Sequence, residues 1–244
     1  MEQKDTNNIT FSHTVISIAS ASGKKFSREK FQPKIDLIKE YFPSDWQDKS
    51  VLDVGIGYGS FLSLLEEHGF ENLFGMDPFQ KSIAISKEFT KADLREGKIE
   101  NEKWPFQENM FDVITSFDVV EHLHNPQIFF MNAKKYLRAN GIIIFSTPNK
   151  QLPYHIRSIP FIGIPDRNPT HFNVQHPSYW INLVKKSGFN IIKMWKGEHL
   201  THIKFLPPTM KSFCRIFKLD PRDVPVINWF EQSFCMALKV EVNN

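Results

Sequence analysis

The chain holds 244 residues with a formal net charge of +3; 41% of its side chains are hydrophobic, 14% aromatic and 23% charged. That balance excludes intrinsic disorder and leaves enough chain to bury one large α/β core or two small ones. It also excludes a membrane-spanning helix, because no apolar run approaches the ~20 residues that cross a bilayer.

The polar start Met1–Asn8 predicts no secretory signal. Two cysteines, Cys214 and Cys235, offer neither a disulfide framework nor a zinc-ligand spacing, so the expected setting is cytoplasmic with reduced thiols. Lys and Arg are spread rather than clustered, which permits an anionic partner without requiring one. The 23 phenylalanines predict a Phe-rich core.

In chain order, residues 1–32 read as a polar arm ahead of a domain over 33–244. Pro33 suits a first helical turn, with Ile35, Ile38 and Phe42 on one stripe and Pro43 as the stop. Val51–Val54 reads as a buried strand running into glycines. Phe61–His68 has helical spacing and closes at Gly69. Asn72–Met76 predicts the second strand, Ser82–Lys87 a short helix, Phe89–Ala92 the third strand and Phe111–Phe117 the fourth. Asn125-Pro126 is an N-cap and first-turn pair that opens a helix to about Leu137. Asn140-Gly141 turns the chain into the fifth strand, Ile142–Ser146. Pro177–Ser187 is a helix stopped by Gly188, Phe189–Trp195 the sixth strand, and Phe234–Val240 a last strand with no helix after it.

Alternating strands and helices imply right-handed crossovers. The expected fold is therefore a Rossmann-like, doubly wound α/β domain. Its seven-stranded sheet is mostly parallel, with helices on both faces and an antiparallel last strand inserted or added at one edge. Residues 148–176 and 197–232 are long connections of the kind that form lids. Both leave the carboxyl edge of the sheet, where such sheets bind ligands.

The stretch Asp53-Val54-Gly55-Ile56-Gly57-Tyr58-Gly59-Ser60 joins the first strand to a helix. Glycines there let the backbone approach a ligand, and the helix N-terminus behind them offers free N–H groups to an anion. The dinucleotide fingerprint wants its third glycine at Ser60, so the spacing speaks against it. As a side chain, Asp53 either braces the loop or accepts a bond from a ligand ammonium. Asp77, ending strand two, either caps a helix or takes both hydroxyls of a ribose.

Asp53-Val-Gly55-Ile-Gly57-Tyr-Gly59 resembles the first motif of class I S-adenosylmethionine-dependent methyltransferases, and the likeness extends over roughly residues 33–240. The resemblance implies S-adenosylmethionine as cofactor. It puts Asp53, Gly55, Gly57 and Gly59 around the amino-acid end and Asp77 on the ribose. It further implies that Asp93 accepts a bond from the adenine amino group, that Leu94 packs on the ring, and that Ser116 and Phe117 face the methyl donor.

Ser116-Phe117-Asp118-Val119-Val120-Glu121-His122-Leu123 resembles the corresponding segment of the branch that holds the ubiquinone-biosynthesis O-methyltransferases. His122 is either a structural histidine or a base. Glu121 is, on this resemblance, either a metal ligand or a structural carboxylate, but no second carboxylate lies at ligand spacing, so no metal is expected. Ser146, Thr147 and Asn149 end strand five near the pocket mouth. In Asp166-Arg167-Asn168-Pro169-Thr170-His171, His171 is the leading general base, ahead of Tyr154, His155 and His176. Met210, Phe213, Cys214 and Phe217 form a stripe flanked by Lys211, Arg215 and Lys218: either a cap helix or an interfacial helix that touches lipid peripherally.

The expected activity is methyl transfer to a hydroxyl of a small-molecule, sugar or lipid-linked acceptor. The competing readings are a catalytically inactive methyltransferase-like binding module and an NAD-dependent oxidoreductase. A nucleic-acid substrate is not expected, for want of a base-flipping tetrapeptide or a basic appended domain.

Overall fold

A computed structural model describes residues 21–148, 169–196 and 233–241. Helix α1 (Ala21–Tyr41) leads to strand β1 (Ser50–Val54), helix α2 (Ser60–Glu67), β2 (Asn72–Asp77), α3 (Gln80–Ser86) and β3 (Asp93–Glu96). Then come β4 (Phe111–Phe117), a 3-10 turn at Val120–His122, α4 (Pro126–Tyr136), β5 (Leu137–Pro148), α5 (Pro177–Lys186), β6 (Phe189–Lys196) and β7 (Ser233–Val240). The sheet has seven strands in the order β3-β2-β1-β4-β5-β7-β6. Strands β1 to β5 pair in parallel, and β7 runs antiparallel between β5 and β6. This is the expected fold class, with the last strand inserted in the sheet rather than added at its edge.

The central strands β1, β4 and β5 are covered on both faces. Leu52, Val54, Ile114 and Phe145 face a core with Phe129 and Phe130 of α4 and Trp180 of α5. Val51, Val113, Ile142 and Ile144 face the opposite core with Phe31 and Ile35 of α1 and Phe61 and Leu65 of α2. Alternation along each strand thus sorts its residues between two cores.

Two expectations are corrected. The first helix does not begin at Pro33: it starts at Ala21 and carries Pro33 inside, crossing the expected arm boundary. Tertiary contacts override the weak pattern. The Phe31 ring packs 5.1 Å from Phe61 and 5.4 Å from Phe117, and Arg28 pairs with Glu67.

The third strand is not Phe89–Ala92. That stretch is a loop that leaves α3, with the Phe89 N–H bonded to Ser86 O. The Glu66 carboxylate holds it by accepting from Thr90 Oγ1 and the Lys91 N–H, each at 2.6 Å. The strand begins four residues later than its expected start. The two long connections, apart from Pro148 and residues 169–176, lie outside the described residues, as do Asn149, Tyr154, His155, Asp166 to Asn168 and the stripe at 210–218.

Candidate active site

The first turn is built by close packing on two sides and left open on the third. The Gly55 N–H donates to Met76 O at 2.8 Å, which ties the end of β1 to β2. A Cβ at Gly55 would meet Val119 at 2.5 Å, and one at Gly59 would meet Ser86 at 2.9 Å. Gly57 differs. It holds φ +54°, and a Cβ there would meet nothing within 4 Å. The space beside Gly57 is open, next to the N-terminus of α2.

Asp77 borders it, and Asp53 precedes the turn in β1. Asp53 is buried in β1, where Thr115 Oγ1 of β4 donates to its Oδ1 at 2.7 Å. Burial pushes its carboxyl up to about 7; the Thr115 hydroxyl and the Lys30 ammonium pull the other way, and Asp77 adds to the rise. A carboxyl so placed ionises readily beside an incoming cation. Asp77 ends β2. Its Oδ1 accepts from the Phe79 N–H at 2.9 Å, and its Oδ2 meets the Gly57 N–H at 3.4 Å. Burial raises it too, against those two backbone bonds. The long Gly57 contact leaves acceptor capacity for a ligand diol. Gly57, Asp53 and Asp77 therefore fit an ammonium-bearing nucleoside.

The other expected cofactor residues stand differently. Asp93 is the first residue of β3 and pairs in register with Phe74, three residues before Asp77. It lies roughly 10 Å along the strand from the crevice edge, where Arg95 binds it at 2.6 Å. Leu94 packs over Gly75 beside Ile56 and Leu62, so its side chain belongs to a core. The chain leaves β3 at Gly97, whose N–H donates to Asp77 O at 3.1 Å, and Ile99 then enters the core. Ser116 is fully buried and donates to Val54 O at 3.1 Å. Phe117 packs against Phe31 and Phe61. Both side chains are buried, Ser116 against β1 and Phe117 between α1 and α2.

Beyond β4 the backbone is strained, with Asp118 at φ +56°. Lys30 of α1 reaches its Oδ2 at 2.8 Å, and Ser146 Oγ donates to its Oδ1 at 3.0 Å. Glu121 follows, fully buried and pushed up to about 8, first by burial and then by the charge of Asp118. Its Oε2 accepts from Thr147 Oγ1 at 3.1 Å, while its Oε1 is buried without a partner. The hydroxyls of Ser146 and Thr147 are thus engaged by acidic groups.

The two candidate bases meet here. The rings of His122 and His171 lie 4.6 Å apart, edge to face. His122 Nδ1 contacts Thr170 Oγ1 at 2.9 Å, and the Asn173 N–H donates to Glu121 O at 2.8 Å, so residues 170–173 dock on the 3-10 turn. Glu121, His122 and His171 each place a ligand atom within 4.8 Å of the others. The expectation of no metal rested on sequence spacing around Glu121; it missed His171, which folding brings in from the far connection. A carboxylate with two imidazoles suits a divalent cation. His176 is not part of this group: its ring nitrogen accepts from the Ser178 N–H at 3.2 Å and caps α5.

Comparison with known proteins supports the fold and the family. The family model of a methyltransferase domain matches residues 26–194. The ubiquinone biosynthesis O-methyltransferase of Rickettsia prowazekii is 30% identical over 228 residues, covering 86% of this chain and 80% of that protein. The protein of the same name from Rickettsia canadensis is 30% identical over 134 residues, covering 52% and 55%. For several of these curated relatives, the match spans about half of their length. Among solved structures, an S-adenosylmethionine-dependent methyltransferase from Mesorhizobium loti superposes with a TM-score of 0.60 at 17% identity, covering 86% of this chain and 97% of that one. One from Archaeoglobus fulgidus gives 0.58 at 18%, covering 87% and 97%.

Proposed function

The chain belongs to the class I S-adenosylmethionine-dependent methyltransferases, and from that premise we propose that it methylates a hydroxyl of a small-molecule or lipid-linked acceptor. The observation that carries the proposal is the relation between two groups at one sheet edge. The open cradle at Gly57, with Asp53 and Asp77, serves a cofactor. The Glu121–His122–His171 group, at the ends of β4 and β5, serves an acceptor.

S-adenosylmethionine supplies a methyl group on a positively charged sulfur. The protein's task is to align and to remove a proton. Asp53 and the Gly57 turn hold the amino-acid end, and Asp77 holds the ribose. Fixing the reactants in line accounts for up to roughly 7–11 kcal/mol of barrier lowering. His171 takes the acceptor proton, with His122 against it and Thr170 and Asn173 fixing the loop. Base catalysis of this kind adds about 10²–10⁴-fold. Hydroxyl acceptors are also what the name of the Rickettsia relatives denotes.

The unpartnered Oε1 of Glu121 favours a second reading of the same group, in which Glu121, His122 and His171 hold a divalent cation that polarises the hydroxyl. Among the described residues no helix is long and apolar enough to cross a membrane.

The test is mass spectrometry of phenolic, sugar and prenylated acceptors incubated with protein and methyl donor. A gain of one methyl on oxygen, lost in His171→Ala, supports the proposal. Methylation confined to nitrogen or carbon acceptors contradicts it. Tight donor binding with no turnover on any acceptor favours an inactive binding module.

A further inference from the structure

Thr115 is fully buried, and its hydroxyl donates to Asp53 Oδ1 at 2.7 Å. The two residues are partners in register across β1 and β4. On its other side Asp53 pairs with Gly75 of β2, which has no side chain to offer. The rest of this face of the sheet is apolar, with Val51, Val113, Phe61, Phe117 and Ile144 in one core. Among the described residues, Thr115 alone donates a hydrogen bond to this carboxyl.

The bond has a direction. A threonine hydroxyl carries one proton to donate. Its second acceptor, Leu52 O, stands at 3.4 Å, so the proton goes to Asp53. A donated proton favours a carboxylate over a carboxylic acid. Burial opposes that charge, and Asp77 adds to the opposition; the Thr115 bond supports it, ahead of the Lys30 ammonium of α1. A neutral carboxyl would offer a ligand ammonium no counter-charge.

We propose, resting on the methyl-donor reading above, that Thr115 is a positioning residue for donor binding: its hydroxyl takes one oxygen of Asp53 and keeps the carboxylate charged, so that the other oxygen meets the α-ammonium of the donor.

Carbon-13 NMR of the Asp53 carboxyl, on the empty full chain, tests the first half. The wild-type midpoint lies at about 7. Thr115→Val keeps nearly the same shape and removes the hydroxyl. Its midpoint moves up by about one to two pH steps, as expected for loss of a hydrogen bond to a charged group. Thr115→Ser restores the hydroxyl and brings the midpoint back to within about half a pH step.

Calorimetry with S-adenosylhomocysteine tests the second half. At pH 7 Thr115→Val binds about 5–50-fold more weakly, because its Asp53 is mostly protonated, and at pH 9 the deficit closes to about twofold or less. A loss through altered packing would persist at both pH values. An unmoved midpoint in Thr115→Val, no recovery in Thr115→Ser, or a deficit that does not close with pH overturns the proposal. Failure of the wild-type protein to bind S-adenosylhomocysteine counts against the methyl-donor reading itself, and the ammonium half of the proposal falls with it.

Discussion

Asp53 sits behind the Gly-rich turn with its carboxyl pushed up to about 7, chiefly by burial. A ligand α-ammonium on that turn needs the ionised form. Binding therefore expels a proton at acidic pH, and affinity declines toward tenfold per pH step below 7. From pH 7.5 to pH 6 the decline for S-adenosylhomocysteine is about eightfold, taking the midpoint as about 7. Asp77 is also raised by burial, so a reference ligand is needed. 5′-Methylthioadenosine keeps the ribose and lacks the amino acid, and the difference between the two ligands isolates Asp53.

Stability runs the other way. The folded carboxyl stands above its ordinary 3.8, so between about pH 4 and 7 the empty fold binds a proton that the unfolded chain has lost. Stability falls as pH rises through that window, by on the order of 4 kcal/mol once both forms are ionised. Asp53→Asn escapes this cost. It should melt higher than wild type at pH 8 and bind S-adenosylhomocysteine roughly 10–100-fold more weakly, as loss of a buried charge partner does. Titration calorimetry and thermal melts across pH read both effects. Equal pH dependence for the two ligands, or an Asn variant less stable at pH 8, refutes the reasoning.

Other expectations follow from the same geometry. Gly57→Ala keeps the fold, at a cost of about 1–2 kcal/mol for the positive φ, but loses more than tenfold in cofactor affinity because its Cβ fills the cradle; Gly55→Ala meets Val119 and should lower the melting temperature instead. Lys30→Met leaves Asp118 without its ammonium and removes a charge that lowers both Asp53 and Glu121. Stability should drop by about 1 kcal/mol, and the midpoint of the binding profile should move to higher pH. Chelation followed by readdition of Mg²⁺, Mn²⁺ or Zn²⁺ separates the two readings of the Glu121–His122–His171 group. Turnover lost and restored identifies a cation site, and turnover untouched by chelator leaves His171 as the base.

Strands with a mostly apolar run were legible. Val51–Val54 and Phe111–Phe117 are apolar enough to favour burial on both faces, and Asn125-Pro126 carries its own capping chemistry, since the Asn125 side chain accepts from the Gln127 N–H. The start of α1 was not legible, because Lys30 and Phe31 gain their meaning only from Asp118, Phe61 and Phe117. Strand β3 was displaced for a similar reason. Phe89–Ala92 has the right composition, yet Glu66 of α2 holds it as a loop. Strand β3 therefore starts at Asp93, with Leu94 packed over Gly75.

In the site, the Gly-rich turn was readable because a backbone requirement selects glycine directly. The acidic group was only half readable. Asp118-Val-Val-Glu121-His122 is contiguous, whereas His171 and Thr147 join it through the packing of distant segments. Thr115 carried no signal at all, and its role appears only when β1 and β4 pair.

The most direct measurement is a crystal structure with S-adenosylhomocysteine. The ammonium should lie at the Gly57 turn within reach of Asp53, both ribose hydroxyls on Asp77, and the sulfur toward the Glu121–His122–His171 group. A nucleoside bound elsewhere, or a ribose that does not touch Asp77, contradicts the account.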